Sequence, residues 1–171
     1  NNVSSEEITK FVWNYQFKEM YLRYFAWQFI GKEDWNERTW SRNSLDGTPL
    51  MSMRPLQGVD IFRYIVPLAF IIGLYGMFYH FRRDPQRALS VLTLFILTGL
   101  AIVVYLNQSD PQPRERDYAY VGSFFAFSIW IGIGIFGLLS ELRKKFNISS
   151  LIPSILLILF MPFLMGVIDW K

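Results

Sequence analysis

Four stretches of this chain approach membrane-spanning length without a charged side chain: Tyr64 to Phe81, Ala88 to Leu106, Ala119 to Ser140 and Leu151 to Ile168. A helix needs roughly 18 or more apolar residues to cross the hydrocarbon of a bilayer, because each residue advances it by only about 1.5 Å. Only His80, in the first stretch, carries even a potential charge. The hydrophobic residues, 52% of the chain, are gathered into blocks rather than spread, and the mean hydropathy is +0.23. This pattern predicts an all-α integral membrane protein: four transmembrane helices, preceded by an aromatic interfacial helix and an external loop.

Two regions follow from that division. Residues 1–62 form an extracytoplasmic, interfacial aromatic helix and loop, and residues 63–171 form the transmembrane region. Ser4-Ser-Glu-Glu7 offers a helix start, with a serine cap and acids in the first turn. From Lys10 to Ile30 the sequence is dense in aromatics but interrupted by Lys18, Glu19 and Arg23. Tyrosine and tryptophan prefer the headgroup layer, so this helix is expected to lie in the interface or against other helices of the chain. Gly31 is expected to end it. Residues 32 to 60, broken by Gly47, Pro49, Pro55 and Gly58, read as a loop in which Trp35 and Trp40 would anchor at the membrane surface.

The short connections set the orientation. Arg82-Arg-Asp-Pro-Gln-Arg87 and Glu141-Leu-Arg-Lys-Lys145 each carry three cations and one acid. Both lie on the same side of the spans, and the positive-inside rule places them in the cytoplasm. Both termini and the connection 107–118 then lie outside. Asn147-Ile-Ser149 matches a glycosylation acceptor but falls on the cytoplasmic side. Pro67, Pro153 and Pro162 are expected to kink or loosen their helices. Gly122, Gly132, Gly134 and Gly137 make the third span a close-packing one, central in its bundle. The N-terminus, Asn1-Asn-Val-Ser-Ser, has no basic region or apolar core of a signal peptide, and both ends read as cut from a longer polypeptide.

Chemistry concentrates in the external connection, where Arg114-Glu115-Arg116-Asp117 precedes Tyr118. Arginine offers a rigid fork of donors for phosphate or carboxylate, and an adjacent acid holds the fork or serves as a base. The competing reading is a solvated loop whose charges pair with one another. Arg23, set within Tyr21, Tyr24 and Trp27, is a second candidate, for gripping a phosphate or sugar with aromatics for stacking; pairing with Glu19, four residues earlier, is its structural alternative. No residue stands out as the catalytic base. The chain has no cysteine, which excludes disulfides and thiolate metal sites, and one histidine, which excludes a multi-histidine metal site or bis-histidine haem within the chain. No metal site and no cofactor is expected. The net charge of +3 sits at the ends of apolar segments, so nucleic acid is not an expected partner. The expected partners are membrane lipids and either the remainder of a longer polypeptide or other membrane subunits.

The string from Ala101 through Gln112-Pro-Arg-Glu-Arg-Asp-Tyr118 to Phe127 resembles bacterial membrane proteins grouped as domain of unknown function 2723 (DUF2723). These are glycosyltransferase family 117 proteins, protein O-mannosyltransferase-like enzymes of the GT-C architecture. Tyr21-Leu-Arg-Tyr-Phe-Ala-Trp-Gln-Phe-Ile-Gly31 and the closing Asp169-Trp170 are similar to that family too. The resemblance implies a middle section of such an enzyme, in the bacterial inner membrane, using a polyprenyl-phosphate sugar as co-substrate. It also implies that Arg114, Glu115, Arg116 and Asp117 contribute to the donor or acceptor site, and that the catalytic acid lies elsewhere in the full-length protein. A non-catalytic subunit of a larger respiratory or photosynthetic assembly is the alternative, with the glycine-rich span and the aromatic helix as docking surfaces.

Overall fold

The computed structural model describes residues 4–32, 59–61, 67–107, 116–146 and Leu159, and these are all-helical apart from short connections. The first rod begins where the sequence predicts. Ser4 Oγ accepts from the Glu6 amide at 3.3 Å, and the Ser4 amide donates to Glu7 Oε2 at 3.0 Å, a capping box that satisfies two otherwise orphaned donors. Three segments then run end to end without leaving helical backbone angles: α1 (Ser5–Lys10), a wider π-helical stretch (Phe11–Leu22) and α2 (Arg23–Phe29). The π pitch has a consequence for packing. Buried residues fall in groups about one turn apart, Tyr15 and Gln16, then Glu19 to Tyr21, then Arg23 to Ala26, then Phe29. At this spacing one side of the rod faces the other helices continuously. The rod ends as expected, with the Gly31 amide donating back to the Ala26 carbonyl at 3.1 Å. Val59 then bridges antiparallel to Lys32.

Three further rods follow. In α3 (Leu68–Arg83), Pro67 stands as the residue before the first turn rather than inside the helix, so it starts the helix and makes no kink. A single residue, Asp84, turns the chain. Its carboxylate accepts from the Arg87 amide at 3.2 Å while Pro85 takes the first helical position, where its missing N–H costs nothing. The middle helix comprises α4 (Pro85–Ile96), a π-helical turn (Leu97–Ala101) and α5 (Ile102–Leu106). It stops at Asn107, which adopts left-handed backbone angles at φ 38°. A 3₁₀ turn, Asp117–Tyr120, leads into α6 (Val121–Phe146). Hydroxyls along these apolar helices satisfy themselves on the preceding turn, as Thr93 does on the Leu89 carbonyl at 2.9 Å and Thr98 on Leu94 at 2.7 Å.

Two of these helices, Pro85–Leu106 and Asp117–Lys145, are long and apolar enough to cross a membrane. Large apolar side chains stand exposed on both: Leu89, Leu97, Val104 and Tyr105 on one, and Val121, Phe125 and Phe136 on the other. At 16 residues, α3 is shorter, about 24 Å at the usual helical rise. The fourth expected span, Leu151–Ile168, lies outside the described residues except for Leu159, as do Trp35, Trp40, Pro153, Pro162 and the Asn147 acceptor pattern.

Glycine decides how closely these helices approach. A Cβ on Gly76 would collide with the Trp130 carbonyl and the Gly134 amide, and one on Gly134 with the Ile72 carbonyl. Here α3 and α6 touch backbone to backbone and run parallel, since Gly73 faces Phe127 and Ile131 while Gly137 faces Tyr75 and Tyr79. A second tight point joins three rods: a Cβ on Gly99 would meet the Tyr21 ring at 2.7 Å and Ser123 at 2.9 Å. The third predicted span is therefore central, packing on both α3 and the middle helix. Around these crossings the core is aromatic, with Phe25, Phe29, Phe127 and Trp130 in one cluster and Tyr15, Tyr21, Tyr24 and Tyr120 in another.

This geometry separates glycines that look alike in sequence. Gly134→Ala should lower the stability of the purified protein by about 1–3 kcal/mol, the usual cost of forcing volume into a packed contact. Gly132, with nothing within 4 Å of a built Cβ, should accept alanine with no loss. Thermal unfolding of the two variants checks this, and equal destabilisation by both would contradict the crossing.

Candidate functional site

The aromatic rod runs from Gln16, at the end of the middle helix, to Phe25, which packs edge-on against Phe70 near the start of α3. In doing so it holds both ends of the 107–118 connection. At one end, Gln16 Nε2 donates to Asn107 Oδ1 at 2.7 Å, a contact between residues 91 apart in sequence. At the other, Tyr120 is buried between two tyrosines of the rod, with its ring 5.8 Å from Tyr21 and 6.0 Å from Tyr24.

Arg23 is the centre of this arrangement and is completely buried. Its Nε donates to the Glu19 carbonyl at 3.0 Å, and the Glu19 carboxylate lies 3.9 Å from the same nitrogen. The guanidinium carbon lies 4.7 Å from the ring centres of both Tyr24 and Trp27. Removing a charge from water is costly unless it is paired and hydrogen-bonded, and a carboxylate plus two aromatic faces offsets that cost. Pairing with Glu19, the structural alternative for Arg23, is thus realised. Because it is sealed from solvent, Arg23 acts on any bound molecule through its field and through the residues it holds.

Trp27 carries a second cation. Lys32 Nζ lies 4.3 Å from the indole centre on the turn that follows the rod. Burial pushes the Lys32 ammonium below its ordinary value; Asp117 opposes this and Arg23 adds to it. Lys32, Arg23 and Asp117 therefore share one electrostatic neighbourhood. Arg116 belongs to it as well, since Arg23 and Arg116 both act on the Tyr120 phenol. Arg116 is half-buried, and its buried Nε meets no hydrogen-bond partner among the described residues.

Asp117 and Tyr118 are exposed. The Asp117 carboxylate accepts from the Tyr118 amide at 3.0 Å. Both line an open groove of about 370 Å³ between the end of the aromatic rod (Gln28, Phe29) and the start of α6 (Val121, Phe124, Phe125, Ser128). Its lining mixes polar residues (Gln28, Asp117, Ser128) with apolar and aromatic ones.

The two sequence-predicted candidates thus converge. Arg23 and Trp27 on the rod stand beside Arg116, Asp117 and Tyr118 from the connection, while Arg114 and Glu115 lie outside the described residues. Sequence reasoning missed Lys32 and Tyr120. The signal for Lys32 was slight: a cation just past the helix-ending Gly31, within a turn and a half of a tryptophan. Chemically, three cations and a ring of aromatics against two acids suit an anion attached to an apolar or sugar-like body. Among the described residues, no group of three or more His, Asp or Glu side chains is placed to hold a metal ion. No family model matches the chain, and neither a curated protein nor a solved structure is similar to it.

The burial of Lys32 sets a pH dependence. Its folded pKa lies below the ordinary 10.5 of the unfolded chain, so between those two values the unfolded state holds more protons and stability rises with pH. The wild-type protein should gain stability relative to Lys32→Met as pH climbs through the window just below 10.5, read as a growing difference in melting temperature. A pH-independent difference would place Lys32 in water.

Proposed function

We propose that this chain is a section of a GT-C-like membrane glycosyltransferase that moves a sugar from a polyprenyl-phosphate donor to an extracytoplasmic acceptor, in keeping with the family resemblance of its Gln112–Tyr118 string. On this reading the chain spans the bacterial inner membrane four times, with both termini and the connection 107–118 outside. The observation that carries the proposal is the convergence of Arg23, Lys32 and Arg116 around Trp27 and Tyr120, at the end of two helices apolar enough to span a bilayer.

In glycosyl transfer from a lipid phosphate, the bond between the anomeric carbon and the phosphate oxygen breaks, and its electron pair leaves with the phosphate. An acceptor hydroxyl attacks the same carbon, giving its proton to a base in the remainder of the enzyme. Positive charge fixed beside the departing phosphate lowers the barrier because that charge grows in the transition state. Arg116, whose side chain is only partly buried, and Lys32 are the groups for direct contact. Arg23 backs them electrostatically, and Asp117 orients Lys32. Arg114 and Glu115 extend the same cluster in sequence. Trp27 and Tyr118 supply faces for a sugar ring.

The alternative, a non-catalytic subunit of a larger complex, loses part of its ground. The surfaces it would use for docking are occupied within the chain: Gly134 against α3, Gly122 against Thr98, and the aromatic rod against the helices it crosses.

Binding of a short-chain polyprenyl phosphate to the detergent-purified full-length protein tests the proposal. Arg116→Ala should weaken it by about tenfold or more, the loss of a charge-assisted hydrogen bond. The phosphate-free polyprenol should bind more weakly than the phosphate. Equal affinity for alcohol and phosphate, or unchanged binding by the variant, would overturn it.

A further inference from the structure

The opposite end of the bundle carries a second concentration of charge. Because α3 and α6 run parallel and pair Gly76 with Trp130 and Gly134, then Tyr79 with Gly137, the end of α3 comes level with the last turns of α6. Two basic segments far apart in sequence are thereby merged: Arg82, Arg83 and Arg87 around the Asp84 turn, and Arg143, Lys144 and Lys145 at the end of α6. Among the described residues at this end, Asp84 and Glu141 are the acids. Asp84 is committed to capping α4 and to Arg87, whose Nε lies 3.4 Å away.

Below the charges lies an apolar rim. Phe78, Leu89, Phe136 and Leu142 are exposed, and Arg82 folds back so that its guanidinium carbon stands 4.5 Å from the Phe78 ring centre. Long basic side chains running along apolar surface and ending in cations are suited to the boundary between acyl chains and headgroups. Six cations against two acids make that boundary selective for negative charge.

We propose that this end of the bundle is a binding surface for anionic phospholipid headgroups, which hold α3, α4 and α6 together from outside. Each basic residue near an anionic surface contributes roughly a fivefold preference when fully effective, so four or more acting together far exceed what a neutral lipid provides. The surface lies at the other end of the helices from the candidate site, so it stands or falls independently of the glycosyltransferase reading.

The test uses the full-length protein in nanodiscs of phosphatidylcholine with increasing phosphatidylglycerol. Lipids retained on the protein are counted by native mass spectrometry, and melting temperature is followed in parallel. The wild type should retain phosphatidylglycerol at least tenfold over its share of the mixture, less so in high salt. Replacing Arg83, Arg143, Lys144 and Lys145 with glutamine should bring retention close to the mixture's composition. A second variant, with lysine at Arg83 and Arg143, keeps the charge and should keep the preference, which separates a lost surface from a misfolded protein. Retention at the mixture's ratio by the wild type would overturn the proposal. So would a glutamine variant that keeps the preference, or a lysine variant that folds as the wild type does but loses it.

Discussion

A completely buried guanidinium is the most demanding element of this molecule. Left unpaired inside apolar surroundings, a charged side chain costs several kcal/mol and drives the structure to rearrange around it. Arg23 avoids that cost because its own rod supplies partners on both sides, Glu19 one turn before it and Tyr24 and Trp27 in α2 after it. Docking of the aromatic rod then buries a guanidinium that its own helix has already paired. Undocking the rod would expose Tyr15, Tyr21 and Tyr24, and would release the ends of the 107–118 connection from their hold at Gln16 and Tyr120.

Close approach makes that docking possible. Tyr21 fits because position 99 has no Cβ, and the backbone contact of α3 with α6 exists because positions 76 and 134 have none. The middle helix also widens to π pitch, at Leu97–Ala101, directly opposite the π segment of the rod. Such stretches realign side chains relative to a regular helix and often occur where a structure serves function over regularity. Here charges from separate segments share one neighbourhood, with Arg23 sealed against the Tyr24 and Trp27 rings.

The helical character of the chain was legible in its apolar blocks, and the first helix's start was legible in Ser4 and Glu7. The boundaries were less so. Pro67 looks like a kink when the apolar run is read alone, but its fixed φ and missing N–H suit the position before a first turn, and that is where it stands. The aromatic segment allowed two placements, interfacial or packed, because tyrosine and tryptophan serve equally well in a headgroup layer and in a core. Burial of Tyr15, Tyr21 and Tyr24 decides for packing. The candidate site was half visible. Arginines and acids could be picked out locally, but nothing in a linear sequence says that Arg23 and Asp117 share a neighbourhood, nor that Lys32 completes it. Those relations depend on how three rods cross, and the crossings depend on single missing methyl groups.

The most direct test of this account is oxidative cross-linking in native membranes, for which the absence of cysteine from the chain is convenient. The pair Gln16→Cys and Asn107→Cys replaces side chains that meet at 2.7 Å. If the aromatic rod meets the end of the middle helix as described, mass spectrometry after proteolysis will find the peptides bearing positions 16 and 107 joined in most molecules. Peptides that stay separate under conditions that oxidise both thiols would show that the rod lies elsewhere, and the shared site of Arg23, Lys32 and Arg116 would not exist.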